Sequence, residues 1–382
     1  MPRLEIVQED AQRVPPRPTD LDSFGIHHIF RREAFRHASY LRYTSLGQLD
    51  ERTYDLSQVV YDRMKPALRL ASLFVRYVMP QFARIGSAEV REYVHPDGYT
   101  YKALTDDWEY DPVRTARFES NDLLRLCTNY RFTLLTTDHF ARSLCDAHDE
   151  LAVTSALLNH VAGAPFDPVY PQTALNSSWI WYLAREDWDT ISTEEKYSKY
   201  FMFATTLVHE LAHAVWINRV YSGVRLKSDK NEEIALVEPE PSYFPDHDFA
   251  ELGCAIELEL FHSLPGFPHF GTPTTTERAC SDEPHKVLFT LLDAKGRAID
   301  IHQASTSTIY SFFDPRVWAM TDFYFQPDYV VELLENRRPP RRRLSTSLSD
   351  PRFLEEFDVP VLSEPFPGML KPAITADNEL FG

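Results

Sequence analysis

Apolar residues recur at helical spacing from Asp55 to Phe82: Leu56, Val59, Val60, Met64, Leu68, Leu70, Leu73 and Tyr77. The pattern predicts one long amphipathic helix, or a pair broken at Pro66. Two more helical patterns fall at Leu123–Leu135 and Phe140–Val161, while 87–118 is rich in Tyr and Asp and is expected to be irregular. Trp179–Leu183 is aromatic and β-branched, which predicts a strand. Ser192-Thr-Glu-Glu195 then has the form of a capping box. The helix it opens, about 193–221, is apolar on nearly every face, as a central buried helix must be, and Gly223 is its natural stop. A further helix is expected over about 246–263, opening near Asp246. Residues 264–286 hold four prolines and read as loop, and 287–335 alternates short strand-like and helical pieces.

This organisation predicts an extended arm over 1–52, with Pro15, Pro16 and Pro18 close together, and a catalytic body over 53–335. A tail over 336–382 begins with the only basic run, Arg337-Arg-Pro-Pro-Arg-Arg-Arg343. Of 382 residues 43% are hydrophobic and 13% aromatic, enough for a sizeable core. Only 12 are Gly against 27 Pro, which suits helices joined by proline-punctuated connections. The expected fold class is therefore α+β, mostly helical.

The net charge of −18 argues against nucleic acid and anionic membrane surfaces as partners. The first residues carry no apolar segment of the secretory kind, and no stretch nears the ~20 apolar residues of a membrane span. Cys127, Cys145, Cys254 and Cys280 form no CxxC pair and are expected reduced. The expectation is a cytoplasmic protein, with nuclear entry through 337–343 as the alternative. Arg342-Arg-Leu-Ser345 looks like a basophilic kinase site, but an exposed linker that offsets a very acidic body is the favoured reading of the run.

The chemistry lies in His209-Glu210-Leu-Ala-His213, inside the buried helix. Histidines four apart lie ~40° apart round a helix and ~6 Å along it, so both imidazoles can bind one Zn²⁺. Glu210 projects about 100° away from His209, toward a metal-activated water rather than the metal. It can take a proton from that water and deliver it to a leaving amine, as general base and then acid. Two histidines and a glutamate on so apolar a helix are costly unless something satisfies them.

Thr206-Leu-Val-His-Glu-Leu-Ala-His-Ala-Val215 resembles the active-site helix of zincin metallopeptidases. The resemblance implies a zincin-like two-lobed catalytic domain over 53–335, with this helix at the cleft floor. It also implies an upstream edge strand to hold an extended peptide, for which Trp179–Leu183 is the candidate. The metzincin branch is excluded, because Trp216 and Arg219 stand where it needs Gly and a third His. The gluzincin branch takes a Glu from a later helix. Glu232, in Lys230-Asn-Glu-Glu-Ile234, has a similar spacing but sits in a uniformly polar run.

Glu251 heads an apolar stripe of Cys254, Ala255 and Leu258, where a carboxylate is expensive unless paired or metal-bound. Gly253 beside it lets another group approach closely. The stretch Glu240–Glu257 also resembles a segment of uncharacterised fungal HExxH proteins. The metal set chosen is His209, His213 and Glu251, with Glu232 second and His247 third. Glu257 and Asp248 are candidates to hold a ligand imidazole by its free N–H. Tyr310 and His302 are candidate oxyanion donors. The adjacent His27 and His28 would point to opposite faces of a strand and share no metal.

The expected function is a zinc-dependent metallopeptidase, hydrolysing peptide or related amide bonds. The alternative is a non-proteolytic zinc enzyme of small-molecule or peptide natural-product metabolism. A degenerate fold serving only as a binding module is disfavoured by the intact Glu210.

Overall fold

The computed structural model describes residues 20–43, 49–95, 97–105, 111–135, 151–158, 166–221, 225–227, 239–245, 251–266, 287–292 and 298–319. Strands β1 (Phe35–Tyr43) and β2 (Leu49–Asp55) lead into helices α1 (Gln58–Tyr77) and α2 (Met79–Ser87). A hairpin follows, β3 (Val90–Val94) with β4 (Thr100–Leu104). Next come α3 (Pro112–Arg117), a π-helical segment, α4 (Leu124–Asn129), β5 (Arg131–Leu135), β6 (Ala152–Leu158) and β7 (Phe166–Leu175). The second half carries α5 (Ser177–Leu183), α6 (Thr193–Tyr221), β8 (Arg225–Lys227), α7 (Leu252–Phe261), β9 (Leu264–Gly266), β10 (Leu288–Leu292), β11 (Ala298–Gln303), α8 (Thr306–Ser311) and α9 (Pro315–Ala319). Helix outweighs strand among the described residues, as expected.

The main sheet runs β2-β1-β5-β7-β6, with β8 also paired to β7. The β1–β5 and β5–β7 pairs are parallel and the others antiparallel. Helix α6 packs against α1, α2 and α7 and lies beside β6 and β7. It is buried from Tyr197 to Val208 almost without interruption, which is why its sequence shows no polar stripe. An aromatic cluster joins it to its neighbours: Phe74, Phe201, Phe261, Phe289 and Phe312 meet at centroid distances of 5.0 to 6.1 Å. Helix α1 runs unbroken through Pro66, and Ser57 Oγ caps it by accepting from Val60 N–H.

Several expectations are corrected. The segment expected as an arm over 1–52 is part of the body from Asp20 onward. Leu21, Ile29, Phe30 and Phe35 are fully buried, and β1 is a sheet strand. His27 and His28 lie at a 3-10 turn rather than in a strand, and His27 Nδ1 accepts from Ile29 N–H. The helical pattern at Leu123–Leu135 ends at Asn129, and β5 then enters the sheet between β1 and β7 with both faces covered. Burial on two faces erases the alternation that would have announced a strand. Within Phe140–Val161, residues 152–158 are strand β6, not helix.

The stretch 87–118 holds a regular hairpin, its tyrosines stacked across strands, Tyr93 on Tyr101 at 5.9 Å. Trp179–Leu183 is helical: Asn176 Oδ1 accepts from Ser178 N–H at 2.9 Å, and this cap outweighs the β-branched and aromatic content. The helix expected from Asp246 begins at Leu252, and 246–250 lies outside the described residues. No helix among the described residues is long and apolar enough to cross a membrane. The tail over 336–382, with its basic run and Ser345, lies outside them.

Candidate metal centre

His209 and His213 stand one turn apart on α6, ring centroids 5.1 Å from each other. Both turn Nε2 toward Glu251: its Oε1 is 2.8 Å from His213 Nε2 and 3.4 Å from His209 Nε2. One ligand atom from each of the three lies within 4.8 Å of the others, close enough to hold a metal ion. Glu251 is fixed by its own backbone. It is the N-cap residue of α7, in extended conformation, and its carboxylate accepts from Gly253 N–H at 3.2 Å and from Cys254 N–H. The start of α7 thus both orients the carboxylate and stabilises its charge.

The outer nitrogens are braced from two other segments. His209 Nδ1 meets Glu257 Oε1 at 2.9 Å, and His213 Nδ1 meets Glu240 Oε1 at 2.6 Å. An Nδ1–H donated to a carboxylate leaves Nε2 as the free lone pair, which is the state a metal needs. Glu257 stands in the role expected of it. Glu240 opens the stretch Glu240–Glu257 noted in the sequence but was assigned no role there, and no periodicity could have assigned one, since it lies on coil 27 residues beyond His213. Its Oε2 also accepts from Leu252 N–H at 3.2 Å. The coil 239–245 is tied to the hairpin: Leu104 N–H donates to Ser242 O at 2.9 Å, Ser242 N–H to Lys102 O at 2.8 Å, and Tyr101 O–H to Pro245 O.

Gly253 permits the approach of α7 to α6. A Cβ there would lie 2.4 Å from His209 Cδ2 and Nε2 and 2.6 Å from Cε1. No side chain fits between this backbone and the imidazole.

Glu210 is 4% exposed and is not one of the trio, although it lies near enough to feel their charges. Its Oε2 accepts from Thr154 Oγ1 at 2.6 Å. Burial raises its pKa above the usual carboxylate range, and the nearby His213 and His209 oppose this only in part. In the metal-free protein burial works against charge on both imidazoles, yet carboxylates outweigh it. Glu251 and Glu257 hold His209 well above its ordinary value, and Glu240 and Glu251 do the same for His213. Burial likewise opposes charge on Glu251, but both histidines outweigh it and hold its carboxyl well below the usual range.

Among the described candidates, Tyr310 stands apart from this cluster. Tyr310 packs on Tyr197 at 4.8 Å. Tyr197 is 12 residues before His209 on α6, about 18 Å along the helix, so Tyr310 cannot serve as an oxyanion donor there. His302 lies on β11. Glu232, His247 and Asp248 lie outside the described residues. The strands beside α6 are β6 and β7, not the helical Trp179–Leu183. Thr154 of β6 was missed because its strand was expected to be helix. A second group, His209 with Cys254 and Glu257, also lies within metal-holding distance. It draws on the Glu257 carboxylate already hydrogen bonded to His209 Nδ1. Cys127 and Cys254 are buried free thiols, and Cys145 and Cys280 lie outside the described residues.

Comparison with protein-family models, with curated proteins and with solved structures finds no match for this chain.

Proposed function

We propose that this chain is a zinc-dependent hydrolase of peptide or related amide bonds, its catalytic body a two-lobed zincin-like domain with α6 at the cleft floor. The observation that carries the reading is one arrangement. Two imidazole Nε2 atoms and the Glu251 carboxylate converge, while the fourth group, Glu210, stands beside them without joining them. Two nitrogens and one carboxylate are a donor set of catalytic zinc sites, which keep one position open, whereas calcium and magnesium prefer oxygen alone. The braced Nδ1 atoms fit the same set. Bound zinc would supply a Lewis acid that activates water at neutral pH.

The rest falls to the chain. His209, His213 and Glu251 would hold the ion. Glu210, desolvated and therefore more basic than an exposed carboxylate, would take the proton of the attacking water and return it to the leaving amine. The test is zinc per chain after dialysis against a mild chelator, together with turnover of an unbiased peptide library. Glu210→Gln should keep a full equivalent of zinc and lose turnover by about 10²- to 10⁴-fold. Near wild-type turnover in that variant would remove Glu210 from the mechanism, and a wild-type chain that holds no zinc would remove the reading.

A further inference from the structure

Behind Glu210 lies a chain of three hydroxyls. Thr154 Oγ1 is 2.6 Å from Glu210 Oε2 and 2.5 Å from Thr173 Oγ1, and Thr173 Oγ1 in turn bonds Tyr130 O–H. The sheet builds this chain. Thr154 on β6 and Thr173 on β7 are direct cross-strand partners, and Tyr130 immediately precedes β5, the other neighbour of β7.

Its polarity follows from counting protons. Tyr130 and Thr173 are 2% and 0% exposed, so solvent does not reach the far end. Among the described residues the Tyr130 oxygen meets only hydroxyls. Its single proton must then go to one of these hydroxyls, with Thr173 the nearer partner, or be buried without an acceptor at full desolvation cost. Thr173, having accepted, gives its proton to Thr154, and Thr154 gives its own to Glu210 Oε2. Every donor is used once, and every arrow points at the carboxylate.

We propose that Tyr130, Thr173 and Thr154 form a positioning relay that clamps Glu210 through Oε2 and leaves Oε1 as the oxygen that handles the proton. This rests on the reading of Glu210 as the general base. The clamp fixes the carboxylate rotamer from the sheet side, whereas the metal ligands are fixed from the α7 side. Among the described residues no hydrogen bond reaches Oε1.

The test compares two probes on the zinc-loaded protein. Acetohydroxamic acid must give up its hydroxyl proton to a base beside the metal as it binds as acetohydroxamate, whereas the azide anion brings no proton. Thr154→Val keeps the shape and removes the hydroxyl. It should weaken acetohydroxamate about 10- to 100-fold, the range for one lost hydrogen bond to a charged group, with azide affinity and zinc content unchanged. Thr154→Ser should restore the wild-type ratio of the two affinities. Tyr130→Phe, which frees the polarity of the chain without touching Glu210, should move that ratio in the same direction as Thr154→Val. Unchanged acetohydroxamate affinity in Thr154→Val, an equal loss for both probes, or no rescue by Ser would each overturn the relay while leaving the zinc assignment standing. A wild-type chain that holds no zinc overturns the reading beneath it, and the relay with it.

Discussion

Replacing Gly253 by Ala adds one methyl group at the point where α7 meets the His209 imidazole. Gly253 is helical and not in the left-handed region, so its backbone alone does not require glycine. On propensity the change should stabilise the helix, by at most about 1 kcal/mol. The contact says the opposite. The new Cβ would sit 2.4 Å from His209 Nε2 and Cδ2, where unstrained atoms lie about 3.5 Å or more apart, so the ring or the helix must shift by roughly 1 Å. The ring cannot tilt freely, because Glu257 holds Nδ1 at 2.9 Å. Overpacking of this kind costs about 1–3 kcal/mol, more than the propensity gain. Metal geometry is less forgiving still, since ligand distances tolerate only about 0.2 Å. Zinc affinity should fall by at least the 10- to 100-fold typical of a disturbed ligand orientation. Competition with a chromogenic chelator reads the affinity, and thermal melts with and without zinc read the stability. Gly86→Ala is the control. Its Cβ would strike the Phe118 ring at 2.5 Å, so it should lower both melting temperatures alike and leave the affinity untouched. A Gly253→Ala protein with wild-type affinity and an equal or higher melting temperature would refute the placement of α7 against His209.

Glu251→Ala should strip most of the zinc, and Glu232→Ala should keep a full equivalent, both measured per chain after dialysis; the reverse result would move the third ligand to Glu232. Glu240→Gln should lower zinc affinity about 10- to 100-fold through loss of the His213 brace, read by the same chelator competition. Metal-free stability should depend on pH with a definite sign. His209 and His213 have folded-state pKa values above the unfolded ~6.5, so their contribution is complete below pH ~6.5 and is lost as pH rises through the folded values. Glu251 is depressed, so its contribution is present above pH ~4.3 and lost as pH falls through its folded value. Zinc must displace both imidazole protons, so its affinity should rise with pH by up to about 100-fold per unit until they are gone. Paired melts of the free and zinc-loaded protein from pH 5 to 9 should therefore diverge as pH rises, and parallel curves would contradict the pairing.

The parts of the centre legible in the sequence were those whose cost was visible there. Two histidines and a glutamate on a helix apolar all round have to be satisfied, and Glu251 ahead of an apolar stripe has to be paired. Gly253 inside that stripe had to be admitting something, and the structure shows it admits His209. The parts that escaped notice carry no local cost. Glu240 sits on a polar coil where any residue is solvated until tertiary structure brings His213 to it. Thr154 belongs to Ala152-Val-Thr-Ser-Ala-Leu-Leu158, whose apolar content fits a helix or a strand; only its neighbours in the sheet decide. Trp179–Leu183 failed for the converse reason, since one Asn cap settled what four aromatic and β-branched residues, Trp179, Ile180, Trp181 and Tyr182, suggested otherwise.

The coil 239–245 is hydrogen bonded to β4 through Ser242 and carries, two residues earlier, the carboxylate that steers His213. The β3–β4 hairpin, more than a hundred residues upstream of His213, is thereby a mechanical footing for the imidazole that Glu240 braces. The hairpin stands as a separate two-stranded unit with several exposed side chains, the kind of element that opens at low free energy. Each opening would loosen the coil that carries Glu240 and leave its carboxylate held against His213 by Leu252 N–H alone. If the trio holds zinc, the residence time of the ion should depend on the breathing of this hairpin as well as on its three ligands, so that amide exchange along Lys102–Leu104 and zinc release should slow or quicken together.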